Sequence, residues 1–284
     1  MANELPYNFG GLPVKYSTYK NSKIIVLPVP FDKTSSWMKG SDKGPDAIIN
    51  ASRNMELYDI ETNAEVYRKG IHTAKAVTAG NARTLAVKVQ NSADDFLKNN
   101  KFVVVVGGEH TVSLGTIKAH AEFFTNITIL HLDAHSDMRD SYEGDKYSHA
   151  CIMARVKEIT KNIISVGIRS TDSSELKNIN KQNTFYASTI HHSTDWINKV
   201  VRKLSENVYI SIDLDVFDPS IMPSTGTPEP GGLGWYDVLD LLEIVSKNKN
   251  IVGFDVVELC PSKNMAPDFL AAKLIYKLLS FKFA

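Results

Sequence analysis

ITILHLDAHSD, residues 127–137, decides the reading of the fold. A short run that is almost wholly apolar, bounded by a sudden polar cluster, reads as a strand buried on both faces of a parallel sheet. The polar residues then fall at its C-terminal end. The same grammar recurs along the chain, in KIIVLPV from Lys23, FVVVV from Phe102, NIISVGI from Asn162, VYISI from Val208 and IVGFDVV from Ile251. Between these runs lie stretches of helical spacing: LAVKVQNSADDFLKNN from Leu85, WINKVVRKLSEN from Trp196 and WYDVLDLLEIVSKN from Trp235. Pro45, with Gly44 before it and DAIINA after, reads as a helix start. Strand alternating with helix predicts an α/β layered fold and not a β-sandwich. No internal repeat or linker is visible, so residues 1–284 are expected to form one domain. The Gly/Pro-rich segment 223–232 is the one candidate hinge, and it lies too close to polar motifs to be a spacer.

Composition narrows the class. The chain has 284 residues, enough to bury roughly three quarters of its unfolded surface without a metal or disulfide staple. Its 32 Lys+Arg balance 32 Asp+Glu, which argues against nucleic-acid or anionic-membrane partners, since both call for a basic surface. No apolar run approaches a membrane span. The opening MANELPYNFGG has neither a basic patch nor an apolar stretch, so no secretory signal is expected. Two cysteines make no disulfide framework, and a cytoplasmic location is expected.

The polar clusters carry the chemistry. GGEHT (107–111), DAHSD (133–137) and DLDVFDP (213–219) each follow an apolar run, and Glu258 closes the last one. In open α/β sheets the ligand crevice lies at that edge, so clusters distant in sequence can converge there. Asp133 and His135 share a face on extended backbone, as do Asp213 and Asp215. With Asp137 and His110 they make four carboxylates and two imidazoles. One divalent ion would leave some of those carboxylates buried and unpaired, whereas two ions sharing bridging carboxylates balance the charge. Oxygen-rich ligation without thiolates favours Mn²⁺, with Zn²⁺, Fe²⁺ and Co²⁺ left open.

Singly, each motif has a bland reading. Asp-x-His is common, and Asp213-x-Asp215 alone suits a cap or turn. His131 shares the face of Asp133 but lies deeper in the strand, so it is read as a hydrogen-bonded support for a ligand. His72, His120, His191 and His192 are read as structural or solvated. Cys151 and Cys260 sit two residues from His149 and Glu258, a spacing that fixes no nucleophilic pair, and both are read as packing residues. GGEHT lacks the pattern of a phosphate loop.

Taken together, these residues resemble the ureohydrolase family of arginases and agmatinases, with agmatinases the nearer match. GGEHT, DAHSD and SIDLDVFDPS (211–220) resemble its three metal motifs; TGTPEPGGL (225–233), DVVELCP (255–261) and the stretch from Pro28 to Ile48 resemble further blocks. The resemblance implies a three-layer α/β/α fold around a mainly parallel central sheet, two Mn²⁺ ions per chain and a homo-oligomer, usually a trimer or hexamer. It makes His110, Asp133, His135, Asp137, Asp213 and Asp215 the metal ligands, with Asp133 and Asp213 bridging. His149 matches a proton-shuttling histidine, Glu258 the carboxylate that pairs with the guanidinium, and Thr227 a neighbouring polar contact. Glu109 and Thr111 depart from the Asp and Ser that many members have there. The implied reaction is attack of a metal-bridging hydroxide on the guanidinium carbon, with Asp137 accepting a proton and His149 returning one to the departing amine. MRDSYEGDKY (138–147) resembles agmatinase text, and Asp140, Glu143 and Asp145 would suit the distal ammonium of agmatine. The expected products are putrescine and urea. Arg139 keeps arginase and guanidino-acid hydrolases, such as a guanidinobutyrase, as alternatives. A non-catalytic homologue would be marked by loss of a ligand, His149 or Glu258, and none is lost; the Glu258 segment and TGTPEPGGL speak against a distant deacylase branch.

Overall fold

The structure, a computed structural model, describes residues 5–284. Residues 1–4, the start of the segment read above for a secretory signal, lie outside the described residues. Eight strands form one sheet: β1 (Ile24–Val29), β2 (Ile71–Thr73), β3 (Phe102–Gly107), β4 (Ile127–Leu132), β5 (Ile163–Ile168), β6 (Thr184–Tyr186), β7 (Asn207–Asp213) and β8 (Asn250–Val257). Their order is β2-β1-β3-β8-β7-β4-β5-β6, and every pairing is parallel. The helices are α1 (Val14–Ser17), α2 (Gly44–Ser52), α3 (Ala82–Lys98), α4 (Ser113–Phe123), α5 (Ile152–Val156), α6 (Ala187–His191), α7 (Trp196–Val201), α8 (Trp235–Asn248) and α9 (Ala266–Phe283). None of them is long and apolar enough to cross a membrane.

Alternation along the strands builds the three layers. Val104, Val106, Leu130 and Leu132 pack on one face, against Ile48 of α2, Leu241 of α8 and Ile275 of α9. Val103 and Val105 point the other way, to Leu85 and Val89 of α3. Ile127 and Ile129 do likewise, against Ile117 of α4 and Ile152 of α5. Burying such a side chain stabilises the fold by about 1.5–3 kcal/mol. Both faces are therefore covered, as the near-continuous apolar runs require.

Local signals act as expected at several ends. Asn81 caps α3 by accepting from the Thr84 N–H at 2.9 Å. Pro45 sits in the first turn of α2, where its missing N–H costs nothing. The expected helix from Trp196 ends at Val201, because the chain must turn to enter β7 at Asn207.

One row of the sheet breaks the apolar rule. Register places Asp255 beside Ser211, Ser211 beside His131 and His131 beside Ser165, across β8, β7, β4 and β5. All four are buried. Buried polar groups in a row need partners, and these lie just below the ends of the strands.

Candidate active site

Strands β3, β8, β7 and β4 are neighbours, so the four polar clusters emerge side by side at one edge of the sheet. The strand order brings together residues as far apart as His110 and Glu258; the Glu258 carboxylate accepts from the His110 N–H at 2.7 Å. Gly108 earns its place by proximity. A Cβ there would stand 2.1 Å from the Phe31 carbonyl oxygen. Gly108 is thus the site of a close backbone approach.

His110 Nδ1 lies 3.1 Å from Asp133 Oδ2, 3.0 Å from Asp137 Oδ2 and 3.4 Å from Asp213 Oδ2. His135 Nδ1 lies 2.8 Å from Asp215 Oδ2 and 3.7 Å from Asp133 Oδ1. Asp133 therefore turns one oxygen to each group, and two subsites share its carboxylate, one with His110, His131 and Asp137 and the other with His135 and Asp215, while Asp213 adjoins the first through His110. His131 Nε2 supports Asp133 Oδ2 at 2.8 Å, and its Nδ1 lies 3.2 Å from Ser165 Oγ.

The polar row below explains the chemistry of this cluster. Ser211 Oγ donates to Asp255 Oδ1 at 2.8 Å, alongside Ser113 Oγ at 2.9 Å, while Tyr209 OH donates to Oδ2 at 2.8 Å. With its proton committed to Asp255, Ser211 Oγ accepts from His110 Nε2–H at 3.0 Å. The neutral imidazole then has a lone pair at Nδ1, buried, without a hydrogen-bond partner and aimed at three carboxylate oxygens. A cation between them resolves that repulsion, so the donor set fits a divalent ion. Without one, protons must do so. Burial opposes charge on His110, but Asp133 and Asp137 outweigh it and hold its pKa well above the ordinary histidine range. Burial, then Asp215 and Asp133, push Asp213 well above the carboxylate range.

A cavity of about 300 Å³ opens over the cluster. Glu258 faces it from the end of β8, with φ +67°, a left-handed conformation that non-glycine residues seldom adopt. Burial, then the Glu109 carboxylate, push its pKa well above the usual range. It is a buried acid in want of a cation. Asp137 also has positive φ, at +52°, which curls the chain past the strand end and back to His110. Thr227 and His149 line the same cavity.

Asp140 and Glu143 do not line it, which corrects the expectation that they meet the substrate's tail. Asp140 turns outward to Lys177 at 2.7 Å and to Asn178 at 3.0 Å, and Glu143 and Asp145 are exposed on the loop. Arg139, Asp172 and Glu175 line the cavity instead. The Arg139 guanidinium lies over the Tyr142 ring and 3.6 Å from each acid. Sequence reading also missed Arg169, which donates to the carbonyls of Asp215 at 2.6 Å and Glu229 at 2.8 Å and so ties two site loops together. Ser211 and Asp255 were missed as well. Their signal was visible: isolated polar residues inside VYISI and VGFDVV. Both cysteines are buried thiols, and burial pushes Cys151 up to about 12, far from a thiolate nucleophile.

A parallel sheet whose central strand ends gather carboxylates and imidazoles around two linked subsites defines a class of metal-dependent hydrolases. A family model described as the arginase family matches residues 22–280. The chain is 38% identical over 272 residues to N(1)-aminopropylagmatine ureohydrolase of Thermus thermophilus, covering 94% of this chain and 93% of that protein. It is 32% identical to an agmatinase of Pyrococcus horikoshii, covering 90% and 91%. The crystal structure of agmatine ureohydrolase of Thermoplasma volcanium superimposes with a TM-score of 0.88 at 30% identity, over 99% of this chain and 96% of that one. The chain belongs to the arginase family, as a ureohydrolase of agmatinase type. That family depends on a pair of metal ions, and the cluster of His and Asp residues supplies the place for them.

Proposed function

We propose that the chain hydrolyses agmatine to putrescine and urea, with two Mn²⁺ held by His110, Asp133, His135, Asp137, Asp213 and Asp215. The observation that carries the reading is Glu258, a buried carboxylate that faces the cavity beside the ligand cluster. A planar guanidinium satisfies it with charge-assisted hydrogen bonds, and Thr227 stands by as a further polar contact. When bound, a pair of divalent cations supplies the Lewis-acid charge that makes water a competent nucleophile at neutral pH. Glu258 orients the substrate's planar carbon toward the ligand cluster. Asp137 takes up a proton, and His149 delivers one to the departing amine nitrogen. The cavity lining also offers Asp172 and Glu175 to one arginine, Arg139, which suits an ammonium tail more than a carboxylate. The reading extends to one catalytic domain acting in the cytoplasm as a homo-oligomer, a trimer or hexamer.

A second reading is favoured by the Thermus relative at 38% identity: the N(1)-aminopropyl derivative of agmatine, whose longer tail would leave the cavity past Arg139. Urea release separates them, measured on agmatine, N(1)-aminopropylagmatine, arginine and 4-guanidinobutyrate at one Mn²⁺ concentration and pH. Both amines should exceed arginine and guanidinobutyrate by about a hundredfold or more in kcat/KM, since a tail carboxylate would meet Asp172 and Glu175, whose neighbouring cation, Arg139, is already paired with both. Arginine or guanidinobutyrate as the best substrate would overturn the amine-tail reading.

A further inference from the structure

Glu109, which the ligand set leaves unused, is completely buried beside His110. Its Oε2 accepts from the backbone N–H groups of Thr34 at 2.7 Å and Ser35 at 3.0 Å. Its Oε1 accepts from Thr34 Oγ1 at 2.8 Å. Thr34 Oγ1 is also the acceptor for the backbone N–H of His149 at 3.0 Å, and it lies 3.2 Å from His149 Nδ1. A hydroxyl has one proton and two lone pairs. The proton goes to Glu109 and one lone pair to the His149 N–H. What remains facing Nδ1 is a lone pair, which can only accept. Ser148 Oγ, also 3.2 Å from Nδ1, is free to act as an acceptor there too.

We propose that Glu109 and Thr34 are positioning residues for His149: the carboxylate polarises the Thr34 hydroxyl so that it accepts from Nδ1–H, leaving Nε2 as the nitrogen that exchanges a proton with the leaving amine. The inference rests on the reading of His149 as the proton donor. It gives the loop of residues 32–40 a second task besides walling the cavity with Ser35, Ser36 and Trp37. The same backbone N–H contacts that anchor this loop also orient the carboxylate, so the relay is held from both ends. A wrong tautomer would hold Nε2–H where a lone pair is needed during part of the cycle, and catalysis would suffer while binding does not.

The test uses the full chain loaded with Mn²⁺ and agmatine as substrate. Thr34→Val keeps the shape of the side chain and removes the hydroxyl; kcat should fall about 10- to 100-fold, with KM within about threefold and metal content unchanged. Thr34→Ser restores the hydroxyl and should bring kcat back to within about threefold of wild type. Glu109→Gln serves as a second variant: its amide donates to Thr34 Oγ1, turns the hydroxyl proton toward Nδ1 and should cost kcat comparably with both ions retained. In a His149→Asn background the Thr34→Val change should have no further effect, since the two residues act as one unit. An equal loss with and without His149, or wild-type kcat in Thr34→Val alongside a crippled His149→Asn enzyme, would overturn the relay and leave the role of His149 intact. Undiminished kcat in His149→Asn would overturn that role and the relay with it.

Discussion

Changing a single carboxylate oxygen to an amide nitrogen separates the roles of Asp133 and Glu258. Asp133 divides its two oxygens between the subsites, so Asp133→Asn removes charge from both at once. The variant should lose metal and activity together, read by metal analysis of folded protein beside a urea assay. Glu258 holds only the His110 N–H among the ligand residues' polar groups, and its charge faces the cavity. Glu258→Gln should therefore keep both ions and lose about 10²- to 10³-fold in kcat/KM, because a neutral amide pairs poorly with a guanidinium. An undiminished rate would place guanidinium recognition elsewhere, and loss of metal would show that Glu258 acts by holding His110 in place. At this scale the sequence was highly legible. Five of the six ligand candidates line one cavity with His149, Thr227 and Glu258, Asp133 joins them through His110 and His135, and Asp140, Glu143 and Asp145 fall outside it. Asp140 turns away because its partners, Lys177 and Asn178, come from a segment with no motif to mark it, and Glu143 is exposed on the same loop.

Helix α4 carries a buried histidine with a measurable consequence. His120 Nδ1 donates to the Thr116 carbonyl at 2.8 Å, its ring centroid lies 4.6 Å from that of Tyr209, and its Nε2 faces Gly253 with no partner. Burial lowers its pKa to about 4, against the raising effect of the Thr116 carbonyl. The fold thus favours the neutral ring, while the unfolded chain takes up a proton near pH 6.5. Its contribution is whole above about pH 6.5 and is lost as the pH falls toward 4, by about 3 kcal/mol over that window. Urea melts between pH 7 and pH 4.5 should show a flatter acid limb for His120→Gln than for wild type. Parallel limbs would mean that other groups set the acid response. Gly253 belongs to the same contact, since a Cβ there would stand 2.3 Å from His120 Nε2. Among the elements, the interior strands and the helices α3 and α8 were readable from period alone. The edge strands β2 and β6 are three residues long and only partly buried, too short for alternation to show. Helix α9 is buried on nearly all sides, so it lacks the polar face by which an amphipathic helix is recognised.

For the whole molecule, metal binding and folding are coupled. The ligands come from the ends of three strands and converge only in the fold, so ions bind the folded chain in preference to the unfolded one. At free metal a hundredfold above Kd, each site adds about 2.7 kcal/mol. Mn²⁺ should raise Tm by roughly 5–10 °C over the chelated protein, measured by calorimetry. An unchanged Tm would show that the cluster holds no ion under those conditions. The effect should vanish in Asp133→Asn, which links this global readout to one shared carboxylate.

By itself the sequence determined that the chain forms a parallel α/β layer and that its chemistry sits at strand ends, because burial on two faces leaves an apolar signature and polar residues can interrupt it only where the strand stops. It also determined the ligand candidates, through the two-residue spacing that puts Asp133 beside His135 and Asp213 beside Asp215. Strand order was decided by the tertiary structure alone. Nothing local says that β8 and β7 insert between β3 and β4, yet that insertion sets Glu258 against His110 and places Ser211 and Asp255 beneath it. The same holds for Thr34, an ordinary loop residue in sequence, which reaches His149 only because Glu109 grips its backbone from the far side of a strand end. Such contacts join residues 75 to 148 positions apart, and no short-range pattern can encode a hydrogen bond whose partners meet only after the sheet has closed.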